Sequence, residues 1–225
     1  DYTGVLPNEI YINNIPNNQI EKSYYFDNSD DNINIVKLIW NQTLDSTYEM
    51  FRDCKNITEI DLSNFDSSLV RYMNGMFSGC SSLISLDLSN LNTSLVVNMA
   101  YIFSRCSSLI SLNLSNLNTA TVTNMENMFN ECASFITLNI SSFNTSKVIY
   151  MYAMFNGCSS LSSLSLFNFN TSSVTLMYRM FYGCLSLNSL DLSSFNTSKV
   201  IDMDRMFYGC SSLKSLDLYN FDTSL

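Results

Sequence analysis

Histidine is absent from this chain of 225 residues. Without an imidazole, the chain cannot build a histidine-based nucleophile triad, a histidine general base or a histidine-ligated metal site. Asp202 and Asp204 form a close acidic pair, but paired aspartates on a solvated surface are common. We therefore predict a non-enzymatic protein that uses no metal and no cofactor.

Positive charge and long apolar runs are also scarce. The chain has 11 Lys and Arg residues against 20 Asp and Glu residues, which gives a formal net charge of -9. Nucleic acids and anionic membranes are bound mainly through Lys and Arg, so neither is expected as a partner. No stretch approaches the roughly 18 apolar residues of a membrane span, and we predict no membrane insertion.

Cysteine, in contrast, recurs with a fixed period. The seven cysteines stand 26 residues apart, at Cys54, Cys80, Cys106, Cys132, Cys158, Cys184 and Cys210. A fixed period of 20 to 50 residues indicates stacked supersecondary units that share one continuous core. The chain is therefore predicted to be a solenoid of about seven coils.

One part of each repeat has the pattern of a short strand. Leu86 and Leu88 alternate with polar Ser85, Asp87 and Ser89, which is the period of two expected for a strand with one buried face. The same apolar pair recurs at Ile60/Leu62, Leu112/Leu114, Leu138/Ile140, Leu164/Leu166, Leu190/Leu192 and Leu216/Leu218. We expect these strands to form a parallel sheet on one face of an α/β solenoid.

The rest of the repeat returns the chain to the next strand. Val122, Met125, Met128, Phe129 and Cys132 are spaced so that they share one side of a short helix or a series of turns. A glycine precedes the cysteine in four coils and suits a left-handed stop, whereas other residues take its place elsewhere, so the stop is expected not to be uniform. These positions are Gly79, Gly157, Gly183 and Gly209, against Arg105 and Glu131.

The first 46 residues do not fit the repeat. Residues 35–40 look like a strand, and we interpret residues 1–46 as an N-terminal cap over the end of the apolar stack. Residues 47–225 form the repeat array, and we expect this array to be truncated within a repeat at Leu225.

A particular signature accompanies the leucine pattern. The segment from Leu192 to Leu213 carries Met206-Phe207-x-x-Cys210, and its equivalents span residues 47–225. The array resembles the BspA-like leucine-rich-repeat surface proteins, which have 26-residue units with a Met-Phe-x-x-Cys signature. Phe167 and Tyr219 depart from that pattern, because a small polar residue is usual there. The resemblance implies a cell-surface or secreted protein engaged in adhesion or in binding host or environmental molecules.

The cysteines have several possible roles. Equivalent positions on successive coils lie about 5 Å apart, a distance that disulfides tolerate. An odd count, parallel side-chain directions and the place after a buried Met-Phe pair favour inert, buried thiols. No Cys-x-x-Cys spacing supports a zinc site.

Two polar columns are ambiguous. The asparagines of the Asn-x-Ser/Thr sequons are either glycosylation sites or structural residues at the strand exit. For the asparagines in register, we favour a hydrogen-bonding column. The Asn-x-Ser/Thr sequons begin at Asn41, Asn56, Asn92, Asn113, Asn139, Asn144, Asn170 and Asn196. The strand face carries Asp61, Asp87, Asn113, Asn139, Ser165, Asp191 and Asp217 in one column. Such a face is suited to calcium or a sugar, yet carboxylates are missing from three adjacent coils, and a plain solvated face is the alternative.

Tyrosine and arginine stand between the core positions of the return leg in the later coils. Both residue types are enriched at interface hot spots, since they offer a large contact area with polar tips. We define the Tyr/Arg surface as Tyr150, Tyr152, Tyr178, Arg179, Tyr182, Asp204, Arg205 and Tyr208. The alternative is that these tyrosines only shield the solenoid.

The sequence therefore predicts a surface recognition or adhesion module. It is expected to bind a protein or glycan ligand, on another cell or a host surface, through an extended solenoid face. The alternative is a passive spacer or assembly segment of a larger surface protein, which would associate with itself end to end.

Overall fold

The computed structural model describes residues 6–17 and 35–222. The chain divides into two compact units, Asp1–Leu44 and Asp45–Leu225. In the first unit, β1 (Glu9–Ile12) pairs antiparallel with β2 (Ile15–Asn17) and β3 (Val36–Ile39). The strand predicted in residues 35–40 is confirmed by β3. The role of the N-terminal residues as a cap stays a prediction.

The second unit is the repeat array, and its core follows the predicted columns. Val122, Met125, Met128, Phe129 and Cys132 are all fully buried, as are most of their equivalents in the neighbouring coils. Every buried side-chain nitrogen or oxygen among the described residues has a hydrogen-bond partner. The 26-residue period therefore marks a continuous packed core, as a solenoid requires.

The return legs carry the main hydrogen-bond ladder between coils. The Phe77 amide donates to the Ile102 carbonyl of the next coil at 3.0 Å, and the amides two residues before and after do the same. Four such bonds join each pair of adjacent legs. The amides in between bond three residues back within their own coil, for example Met76 to Met73 at 3.2 Å. The seven return legs are residues 46–54, 72–80, 98–106, 124–132, 150–158, 176–184 and 202–210.

Left-handed backbone conformation makes this alternation possible. The stop before each cysteine was expected to vary between coils, and this expectation is wrong. Arg105 and Glu131 have φ values of 60° and 58°, close to the 77° of Gly79, so the stop is the same with or without glycine. A second left-handed residue lies four positions earlier in each leg, for example Tyr101 at 59°. The legs are therefore series of turns, and no helix occurs in residues 6–17 or 35–222.

The predicted parallel sheet is much smaller than expected. Among the described coils, only β4 (Thr137–Leu138) and β5 (Ser163–Leu164) pair as regular parallel strands. In most coils an Asp or Asn side chain accepts a hydrogen bond from the amide two residues later, so that amide is not available to continue the strand ladder. Asp87 Oδ1, for example, accepts from the Ser89 amide at 2.8 Å. Such Asx turns bend the chain directly after the apolar pair and shorten the strand.

One aromatic ring per coil forms a continuous stack inside the array. Neighbouring rings are nearly parallel, with centroids 5.7 to 5.8 Å apart, a favourable offset arrangement. The stack contains Phe51, Phe77, Phe103, Phe129, Phe155, Phe181 and Phe207.

Candidate functional site

The cysteines are free thiols, and the predicted core position is confirmed for the five from Cys80 to Cys184. Five of them are buried, whereas Cys54 and Cys210 are half-buried. Each thiol from the second coil onward donates to the carbonyl of a core phenylalanine in the preceding coil, as Cys106 does to Phe77 at 3.1 Å. Burial raises the pKa of the Cys106 and Cys158 thiols to about 12. These thiols are therefore poorly suited to act as nucleophiles, because little thiolate is present at neutral pH.

The asparagines in register form a hydrogen-bonding column, as favoured from the sequence, and the threonines next to them form a second one. Asn144 Oδ1 accepts from the Ser146 amide at 3.1 Å and from the Ser146 hydroxyl at 2.7 Å. Thr145 is buried, and its hydroxyl donates to the Asn170 carbonyl at 3.0 Å and accepts from the Asn170 amide at 2.8 Å. These bonds close a turn in one coil and join it to the next.

The Tyr/Arg surface contains two stacked pairs of tyrosine rings. Tyr152 and Tyr178 have centroids 4.5 Å apart and ring planes 10° apart. Tyr182 and Tyr208 have centroids 5.0 Å apart and ring planes 15° apart. Since each pair is related by one coil, its rings stack along the solenoid in the same way as the buried phenylalanines.

Arginine completes the second pair. The Arg179 guanidinium lies over the Tyr182 ring, 5.7 Å from its centroid, at a distance typical of a cation–π contact. Arg179 is exposed, and Tyr208 has 63% of its surface exposed, while Tyr182 is half-buried. This group therefore presents one guanidinium and one largely free tyrosine to solvent.

The remaining predicted residues are less closely joined. Arg205 Nε lies 3.5 Å from Asp204 Oδ2, and both side chains are exposed, so this ion pair adds little stability. Tyr150 is exposed and joins no ring pair within the part of the chain that the structure describes. Its backbone instead forms parallel bridges to Asn124 and Leu176.

Glu126, whose carboxylate affects the Tyr152 hydroxyl of the first pair, was not among the predicted site residues. Burial raises the pKa of the Tyr152 hydroxyl well above its usual range, and hydrogen bonds to Glu126 and Tyr101 raise it further. Glu126 occupies the same repeat position as Tyr152 and Tyr178, so a search by column finds it. Tyr101 is offset from that column by one position, so a search by column does not find it.

Two further properties concern the described residues 6–17 and 35–222. No group of three or more Cys, Asp or Glu side chains there is arranged to hold a metal ion. No helix there has the length and apolar character that crossing a membrane requires.

Comparisons with known proteins relate the repeat array to one protein family and to two solved structures. The family described as Mycoplasma protein of unknown function, DUF285, matches residues 45–165 and 136–225. A leucine-rich cell-surface protein from Faecalibacterium prausnitzii A2-165 is similar in structure, with a TM-score of 0.52 and 20% identity over 80% of this chain and 43% of that one. A leucine-rich-repeat protein from Bacteroides ovatus ATCC 8483 has a TM-score of 0.49 and 24% identity over 74% of this chain and 39% of that one.

The chain thus spans less than half the length of these solved structures. A comparison with curated proteins gave no match. The fold similarity to the Faecalibacterium prausnitzii protein confirms the resemblance to BspA-like leucine-rich-repeat proteins that the sequence predicts, and with it the repeat-solenoid class.

Proposed function

Because this chain belongs to the DUF285 family, whose description names no activity, we propose a function from its own surface: it is a non-enzymatic recognition module that binds a ligand through the Tyr/Arg surface. The observation that supports this proposal is the pair of tyrosine stacks with a guanidinium on one of them. A location on the cell surface or outside the cell is part of the proposal. It is supported by the printed name of the Faecalibacterium prausnitzii protein, which calls that protein a cell-surface protein.

Stacking fixes the tyrosines before any ligand arrives. In the Tyr152 and Tyr178 pair, the ring centroids lie 4.5 Å apart, so each ring restrains its neighbour. A partner that docks on restrained side chains pays less of the entropy cost of ordering them. The Tyr/Arg surface therefore has the preorganisation that hot spots require.

The same stacking favours a protein over a glycan as the ligand. A sugar ring packs on the open face of an aromatic ring, and stacking covers one face of each of these tyrosines. The ring edges and hydroxyl tips stay accessible, and ring edges carry partial positive charge. Together with the guanidinium groups of Arg179 and Arg205, they suit carbonyl and carboxylate oxygens of a protein surface.

Binding of labelled protein to a panel of intact cells tests this proposal. The double variant Arg179→Ala/Tyr208→Ala changes two exposed side chains outside the core. We expect at least a tenfold loss of bound protein in flow cytometry, because the variant removes an exposed guanidinium and an exposed ring together. Protease treatment of the cells is expected to reduce binding of the unaltered protein to the level of the double variant.

The matched control is Arg71→Ala/Tyr72→Ala, an exposed Arg and Tyr pair at the point where the second return leg begins, outside the Tyr/Arg surface. This variant is expected to bind like the unaltered protein. Equal losses in both variants, or no binding to any cell, would contradict the proposal. Concentration-dependent self-association without cell binding would instead support the spacer alternative.

A further inference from the structure

A shallow depression lies over the two regular strands of the array, on the predicted strand face. It has a volume of about 440 Å³, which is within the range of about 300 to 1,000 Å³ for small-ligand sites. Three successive coils contribute to it. Its lining includes Thr137 and Asn139, then Ser163, Ser165 and Phe167, and then Asp191.

A short side chain creates this depression. Asn139, Ser165 and Asp191 occupy the same repeat position in three successive coils. The serine in the middle leaves a gap between an amide and a carboxylate that stand two coils apart, about 10 Å at the usual spacing of strands. A gap of that width accommodates one sugar ring between two hydrogen-bonding groups.

Phe167 supplies an open aromatic face beside the gap. Serine occupies the equivalent position in five of the other six coils, at residues 63, 89, 115, 141 and 193. The Phe167 side chain has 64% of its surface exposed and has no aromatic neighbour among the described residues. Its exposed face is open to an apolar contact, in contrast with the facing surfaces of the tyrosine stacks.

The polar groups around the gap suit hydroxyls. Asn139 Oδ1 already accepts from Ser141, while its amide nitrogen has no partner in the part of the chain that the structure describes. Asp191 accepts from the Ser193 amide at 2.9 Å, and a carboxylate has capacity for further donors. Both side chains are therefore held in place by Asx turns with hydrogen-bonding capacity remaining.

We infer that this depression is a binding site for a neutral carbohydrate, distinct from the Tyr/Arg surface. Phe167 packs against the C–H face of one sugar ring, and Asn139 and Asp191 bond to its hydroxyls on either side. No lysine or arginine lines the depression, and Asp191 repels anions, so sialylated and sulfated glycans are excluded. A single carboxylate is too few for calcium, and binding does not require a metal.

An array of neutral oligosaccharides of hexoses and N-acetylhexosamines, printed together with sialylated and sulfated ones, tests the inference. We expect the protein to retain neutral glycans only, with binding unchanged by EDTA. The affinity for the neutral glycan that gives the strongest signal is then measured by titration calorimetry. Phe167→Ser restores the residue found in most coils, and it is expected to weaken that affinity at least tenfold.

Two further variants make the result specific. Phe167→Tyr keeps an aromatic face and is expected to bind within about threefold of the unaltered protein. Tyr219→Ser removes the other exposed aromatic of the same repeat position, which does not line the depression, and should leave the affinity unchanged. The inference is overturned if no neutral glycan is retained, if acidic glycans bind better, or if Phe167→Ser binds as tightly as the unaltered protein.

Discussion

At the residue scale, the cysteines show how a reactive group becomes structural. Cys132 and its buried equivalents lie next to the phenylalanine stack, and their thiols donate to carbonyls of the preceding coil. Burial disfavours the thiolate, which is the form that reacts with electrophiles and disulfides. The column therefore contributes packing and one weak hydrogen bond per coil.

Alkylation at pH 8 is expected to distinguish two classes of cysteine. In the folded protein, iodoacetamide should modify Cys54 and Cys210 first, because these two thiols are only half-buried and stay partly accessible. Burial raises the pKa of both thiols, so even they should react more slowly than a free cysteine. The other five should react at least about a hundredfold more slowly, and all seven should react in guanidinium chloride. Peptide mass spectrometry measures each site. Rapid labelling of Cys132 in the folded state would contradict the structure.

At the element scale, the return leg is the stabilising unit of each coil. Alternate amides bond to the next coil, and left-handed residues at two positions per leg allow every second amide to point that way. Six of the seven legs use residues other than glycine at one or both positions, at a cost of about 1 to 2 kcal/mol for each such residue. The bonds and the buried core of the neighbouring coil offset that cost.

Two glycines of this column are expected to tolerate alanine differently. Gly183 has a φ of 69° and its nearest neighbour would lie 3.8 Å from an added Cβ, so Gly183→Ala should cost only the conformational strain, about 1 kcal/mol. At Gly79, with a φ of 77°, the added Cβ would lie 3.2 Å from the Asp53 Cα atom. Gly79→Ala should therefore cost at least about 1 kcal/mol more. Urea unfolding measures both variants, and equal losses would show that the backbone contact is unimportant.

At the scale of the whole molecule, the absence of histidine shapes the dependence of stability on pH. No side chain of ordinary pKa titrates between about pH 5 and 8. Hydrogen bonds in Asx turns lower the pKa of Asp61, Asp66, Asp87 and Asp191. Burial raises the pKa of the cysteine thiols. The folded state thus prefers ionised aspartates and neutral thiols.

The free energy of unfolding is therefore expected to be flat from about pH 5 to 8 and to fall on both sides. Below pH 4 the aspartates of the unfolded chain bind protons, whereas those of the folded state stay ionised because their pKa values are lower. Stability is therefore lost as the pH falls through the folded pKa values. Above pH 9 the unfolded thiols ionise first, and stability is lost as the pH rises towards 12.

Urea titrations followed by circular dichroism across this range measure the profile. In Cys106→Ala, which removes one buried thiol, the alkaline slope should be shallower by about 1.4 kcal/mol per pH unit. An alkaline slope identical to that of the unaltered protein would mean that Cys106 ionises equally in both states.

The sequence by itself determined the repeat and the identity of the core columns, including that of the cysteines. A period of 26 residues and the burial of Leu, Met, Phe and Cys can be read from side chains alone, since apolar residues at regular positions must face a common interior. The Tyr/Arg surface followed from the same register, because residues one period apart stack on adjacent coils. Its binding role remains a proposal.

Only the tertiary structure decided how the backbone is joined and which aromatic faces stay open. The left-handed conformation of Arg105 and Glu131 depends on bonds to a coil 26 residues away, which outweigh the local preference against positive φ. The same neighbours close the faces of Tyr152 and Tyr178 and leave Phe167 uncovered. Such contacts arise between coils, and the order of residues within one coil does not specify them.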